Sequence, residues 1–195
     1  MQFKTLCLTI AAAFAIGATA GARAGVITVT SSSAPVAICD TCTVSSTLNV
    51  ASHGRVLDVD ALVDITHGWD ADLVLSLSHG GVSVLLSNRQ GGSGGANYTG
   101  TVFDDEAAIG ITSGYAYAPY TGAFRPEQAL AAFIGHDVFG EWILTVVDSE
   151  AGDEGSIDGW GITAEVPEPA SLGLFAVAAL GMAGVRRRRR PGCRR

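Results

Sequence analysis

Val56-Leu57-Asp58-Val59-Asp60-Ala61-Leu62-Val63-Asp64-Ile65 alternates apolar and acidic residues with little interruption. Leu57, Val59, Ala61, Val63 and Ile65 fall on one side, and Asp58, Asp60 and Asp64 on the other. That is the period of a strand with one face on a core and one in water. Leu73, Leu75 and Leu77 repeat the pattern, as do Val82, Val84 and Leu86. Glu141 to Val147 is apolar on both sides and predicts an interior strand, and Ile157 to Val166 predicts a last strand carrying Trp160 and Ile162. Clusters of Gly, Asn, Asp and Ser separate the runs, at His79-Gly80-Gly81, at 88–100 and at 152–156. Only Pro126 to Phe133 reads as helical, with proline at a first-turn position. Many short strands with one helix predict an all-β fold, an antiparallel β-sandwich of jelly-roll type, and argue against an α/β fold.

Working outward, both ends of the chain read as export signals. Lys4 precedes an apolar stretch from Leu6 to Ala20, and Ala22-Arg23-Ala24 offers a small-x-small cleavage site, so residues 1–24 are expected to be a signal peptide with Gly25 as the new N-terminus. At the other end stand Pro167-Glu168-Pro169, an apolar run from Leu172 to Val185, and Arg186 to Arg190 in succession. The run has 14 residues. As a helix it would measure about 21 Å, short of the roughly 30 Å hydrocarbon core. A short apolar helix stopped by arginines suits transient insertion in the inner membrane, with the basic block held on the cytoplasmic side. The tail 167–195 resembles the PEP-CTERM sorting signal of Gram-negative bacteria. The resemblance implies cleavage near Pro167, Glu168 and Pro169 by an exosortase-type membrane enzyme, after signal peptidase has acted, and delivery to the cell surface or extracellular matrix.

Between the signals, residues 25–166 hold three basic side chains (Arg55, Arg89, Arg125) and 18 acidic ones, a formal charge of 3 − 18 = −15. The whole-chain value of −7 conceals this, because seven arginines lie in the tail. So acidic a body excludes nucleic-acid binding by phosphate neutralisation and favours cations. Cys39-Asp40-Thr41-Cys42 keeps the body's two cysteines. A thioredoxin-like redox site would need a βαβ setting, and zinc would need two further ligands at metal spacing. Neither pattern is present, so the expectation is a local disulfide between Cys39 and Cys42, in a lead-in segment 25–42 ahead of a domain 43–166.

Six fragments carry a second resemblance. They are His67-Gly68-Trp69-Asp70-Ala71-Asp72-Leu73, Thr101 to Ala107, Gly122 to Pro126, Leu130 to Gly135, Gly140 to Leu144, and Asp148 through Gly152-Asp153-Glu154-Gly155 to Trp160. In that order they resemble the P domain, or P/Homo B domain, that follows the catalytic domain of subtilisin-like proprotein convertases and of many secreted bacterial proteases. The resemblance implies a β-sandwich of jelly-roll type and association with serine endopeptidases. Only about 18 residues separate Gly25 from Thr43, far too few for a catalytic domain, so no enzyme is expected.

No catalytic residue is assigned. Gly91-Gly92-Ser93-Gly94-Gly95 matches the G-x-S-x-G elbow in form, but glycines will not start the helix that the elbow requires. His53, His67, His79 and His136 fall at expected strand ends and turns, and His67 occupies the family's structural histidine landmark. The acidic loops are better candidates. Calcium takes six to eight oxygen ligands, and calcium binding is implied by the resemblance to some bacterial P domains. Asp72, Asp104, Asp148 and Asp153 match the landmarks at such loops and are the expected metal ligands. An EF-hand starting at Asp148 fails, since Asp153 and Gly159 stand where Gly and Glu are needed. Two functions from different classes follow. One is a non-catalytic surface or matrix module that binds a polysaccharide or protein partner. The other is an accessory P domain acting with a separate subtilisin-like protease.

Overall fold

Alternation of apolar and polar residues organises ten strands into two facing sheets in the computed structural model, which describes residues 24–31, 35–92, 96–113 and 118–167. The strands are β1 (Ala24–Thr30), β2 (Val36–Ile38), β3 (Thr43–Val50), β4 (Asp58–His67), β5 (Leu73–His79), β6 (Val82–Asn88), β7 (Tyr98–Phe103), β8 (Tyr120–Phe124), β9 (Gly140–Asp148) and β10 (Gly155–Pro167). One sheet has the order β1-β10-β4-β7-β8, with β2 also pairing β10, and the other has β3-β9-β5-β6. The signal peptide lies outside the described residues. So do Ser93, Glu168, Pro169 and the expected tail helix 172–185. No helix among the described residues is long and apolar enough to cross a membrane.

The inner faces are those that alternation predicts. Val59, Ala61, Val63 and Ile65 of β4 pack against Leu73, Leu75 and Leu77 of β5 and Trp142, Leu144 and Val146 of β9 in one core. Burying each such side chain contributes about 1.5–3 kcal/mol. Across this core the Trp160 indole donates to Ser46 Oγ at 2.9 Å, a bond from β10 to β3 that joins the two sheets. β9 is interior, flanked by β3 and β5.

Four expectations need correction. Leu57 is 42% exposed, although alternation put it on the core side. Val56 N–H donates to His136 O and Leu57 N–H to Glu165 O. The chain changes partners there, and the inward row passes from Val56 to Val59. The sandwich is not wholly antiparallel, because β7 and β8 run parallel. The connection between them is long enough for the crossover that a parallel pair needs. The helix expected over Pro126 to Phe133 shrinks to one 3-10 turn, Leu130–Phe133. Glu127 and Gln128 instead donate their N–H groups to Leu86 O and Leu85 O, and their side chains accept from Asn88 and Leu85 N–H. This covers the edge of β6, so edge pairing overrides the local preference. Finally, segment 25–42 is more than a lead-in: β1 pairs along β10 from Ala24↔Pro167 to Thr30↔Gly161, and β2 extends the same edge.

Candidate functional site at the Asp148–Gly155 turn

At one end of the sandwich β4 finishes at His67, β9 finishes at Asp148, and β10 begins at Gly155, whose register partner is His67. β5 begins at Leu73, opposite Asp148. Four strand ends from both sheets therefore meet beside the turn 149–154. The His67 and Asp148 side chains are wholly buried there, with Nε2 and Oδ2 3.5 Å apart. Among the described residues, neither atom has a hydrogen-bond partner. One ligand atom each from His67, Asp148 and Asp153 lies within 4.8 Å of the others. His67 Nδ1 is 3.0 Å from Trp69 O and 3.2 Å from Trp69 N.

Two glycines make the close approach possible. A Cβ on Gly68 would come within 2.3 Å of Asp153 Oδ2, and one on Gly155 within 2.7 Å of His67 Cδ2 and 2.2 Å of Thr66 O. Asp72 stands at the rim. Its carboxyl is pushed up from the usual range, first by burial and then by the charges of Asp153 and Asp148, while its carbonyl accepts from Ser149 N–H and Oγ–H. Trp69, Asp72, Glu150, Ala151, Gly152 and Asp153 line an open depression of about 440 Å³ beside the cluster. Arg89 pairs with Glu150 and donates to Ala71 O at 3.3 Å. Nearby, Asp70 is fully buried, and burial raises its pKa to about 6 against the lowering effect of His67 and of the Asn97 backbone.

Cys39 and Cys42 are bonded, with Cα atoms 5.5 Å apart. Their turn touches the site, because Asp148 N–H donates to Cys42 O and Gly152 N–H to Asp40 Oδ1. Of the four aspartates expected as ligands, the fold brings Asp148 and Asp153 together with His67, and Asp72 stands beside them. Asp104 is a correction. It follows β7 and lies among Asp58, Asp60 and Glu106, with Oδ1 accepting Glu106 N–H at 2.7 Å, and so belongs to a turn. His67 was not among the expected ligands, because its partners come from distant segments that no spacing rule connects. The usable signal was His67-Gly68 facing the Gly152-Asp153-x-Gly155 turn. His79 is structural: its ring nitrogens lie 2.8 and 2.7 Å from Glu141 O and Asp137 O, and the ring stacks on Trp142 at 4.0 Å.

The donor set differs from the oxygen cage that calcium prefers. Its centre is an imidazole nitrogen, which suits borderline metals such as zinc better than a hard cation.

A family model for the proprotein convertase P-domain matches residues 56–164. The chain belongs to that family. A model for the PEP-CTERM protein-sorting motif matches 165–190, directly after the P domain. The motif is that of exported proteins processed by an exosortase-type system at the envelope of Gram-negative bacteria. Among solved structures, a chain from the complex of Aeromonas sobria serine protease with the chaperone ORF2 aligns at 19% identity and a TM-score of 0.43, covering 75% of this chain and 27% of that one. The serine protease of Aeromonas sobria alone aligns at 18% identity and 0.42, covering 74% and 26%. The chain therefore spans about a quarter of those chains' length. A search of curated proteins gave no significant match.

Proposed function

We infer that the chain is a non-catalytic P domain, exported and then sorted by an exosortase-type enzyme to the cell surface or extracellular matrix, where it acts by binding. The observation that carries this reading is the junction of its two matches. The P domain ends at 164, the sorting motif begins at 165, and β10 runs through both to Pro167. No linker separates fold from signal, so cleavage at Pro167-Glu168-Pro169 would release the sandwich itself from its apolar tail. Jelly-roll connectivity, signal-peptide removal before Gly25 and transient insertion of 172–185 belong to the same proposal. A charge of −15 over 25–166 favours cationic or cation-bridged partners, an anionic polysaccharide among them. A divalent cation at Asp72, Asp148 and Asp153, calcium on the reading of the sequence, would fasten the 149–154 turn. The test is to neutralise Arg186 to Arg190 in the full chain and follow cell fractions. Processing should fall and the uncleaved form should accumulate; delivery equal to that of the parent would overturn the reading.

The accessory role with a subtilisin-like protease has one observation in its favour. Leu57, Ile134 and Phe139 are each more than 40% exposed, and they flank the ladder between 54–56 and 135–138. Such a patch suits docking. Added protein should then slow thermal inactivation of a subtilisin-like protease from the same organism, and Leu57→Asp with Phe139→Asp should remove the protection. No protection from the parent protein would sink this reading.

A further inference from the structure

We propose that His67, Asp148 and Asp153 form a binding site for a transition-metal dication of the zinc type, with the adjoining depression supplying water as a further ligand. The inference rests on the reading of the 149–154 turn as a cation-held element, and it changes both the ligand set and the class of metal. A pair of buried groups without partners is costly. A buried polar atom that makes no hydrogen bond destabilises the fold, and more so when it is charged. His67 Nε2 and Asp148 Oδ2 are two such atoms, wholly buried and facing each other at 3.5 Å.

Nδ1 of the imidazole lies 3.0 Å from Trp69 O and 3.2 Å from Trp69 N, so the ring either donates to the carbonyl or accepts the N–H. Metal binding selects the first tautomer, in which Nδ1–H donates to Trp69 O and Nε2 turns its unshared pair toward Asp148; in the second, Nε2–H faces Asp148 Oδ2 instead. A ring N–H bound to a backbone carbonyl is also the usual support of a metal-bound histidine. The third ligand comes from the turn: Asp153 reaches the cluster over Gly68, where any Cβ would collide with its carboxylate oxygen at 2.3 Å. Gly68 therefore leaves Asp153 its approach to the cluster.

One imidazole nitrogen and two carboxylates give three ligands of types that zinc accepts, and Asp153, the least buried of them, also lines the depression. Ligand bonds of about 2.0–2.2 Å at tetrahedral angles separate neighbouring ligand atoms by about 3.4 Å, close to the observed 3.5 Å. Calcium would need several more oxygens, and an imidazole is a poor first ligand for it. Asp148 and His67 both lie at strand ends, and Asp148 N–H is fixed to Cys42 O. Two of the three ligands are thus positioned before any ion arrives.

The test uses the exported protein, purified in mild detergent and stripped with a chelator. Zn²⁺, Co²⁺, Ca²⁺ and Mg²⁺ are added separately at matched ionic strength, and Tm and visible absorption are recorded. Free Zn²⁺ at a hundredfold excess over Kd should raise Tm by about 5 °C. Co²⁺ should give the visible bands of a low-coordinate site. Asp153→Asn should weaken Zn²⁺ and Co²⁺ binding at least tenfold while leaving the metal-free Tm close to that of the parent, and Asp104→Asn should change neither. A larger rise with Ca²⁺ than with Zn²⁺, and a colourless Co²⁺ form, would overturn the choice of metal while keeping a cation on the turn. No rise with any ion beyond that with Mg²⁺ would overturn both, leaving His67 and Asp148 as a buried ion pair.

Discussion

Asp105 and Asp104 stand side by side in one acidic turn, yet the fold gives them different work. Asp105 reaches to another segment, its oxygens accepting Leu130 N–H at 2.9 Å and Ala131 N–H at 2.8 Å. It thereby caps the 3-10 turn Leu130–Phe133 from outside. Asp105→Ala should cost about 1–2 kcal/mol in chemical denaturation; an unchanged midpoint would remove the cap from the argument. Asp60, behind Asp104 on β4, is a different case. Burial first, then the charges of Asp104 and Asp58, raise its pKa to about 6. In the unfolded chain it titrates near 3.8, so between those values the folded state holds more protons. Stability therefore falls as pH rises through this window. Asp60→Asn should stabilise the protein at pH 8 by roughly 1 kcal/mol, after discounting for solvent screening, and should have no effect below pH 4. Melting curves at the two pH values check the sign. Neither role could be read from the sequence, because Leu130 and Ala131 lie far from Asp105, Asp104 lies far from Asp60, and an aspartate in a turn has many uses.

Among elements, β4, β5, β6, β9 and β10 were legible from their apolar patterns, whereas β1, β2 and β3 were not read as strands, although β3 also alternates. The row from Val59 to Ile65 needed only its period. Leu57 failed because alternation assumes one partner strand, and the ladder changes partners between Val56 and Asp58. Pro126 to Phe133 failed because hydrogen bonds to the β6 edge lie outside any local pattern. Asp148 and Asp153 could be picked out as acidic residues at a turn, whereas His67 joins them only through the register Gly155↔His67. That register gives an element-scale prediction. A Cβ at 155 would sit 2.2 Å from Thr66 O, while Gly159 has nothing within 4 Å. Gly155→Ala should cost about 2 kcal/mol or more, and Gly159→Ala less than about 0.5 kcal/mol. Equal denaturation midpoints for the two variants would show the strand ends to be loosely packed.

At the scale of the molecule, an acidic P domain runs directly into a PEP-CTERM sorting motif. The exported chain should not be labelled by a serine-directed fluorophosphonate probe. Labelling that vanished in Ser93→Ala would overturn the non-catalytic proposal. The pairing Gly25↔Val166 at the open end of β1 and β10 has a mechanical consequence. Force that draws these two residues apart acts on the first rung of an antiparallel pair and opens it one rung at a time, the weakest loading geometry for strands. β1 would peel from β10 as far as Thr30↔Gly161 at low tension, while the core behind it, centred on Trp142 and Trp160, held. A stretched molecule of this protein would lengthen by one strand before it unfolded.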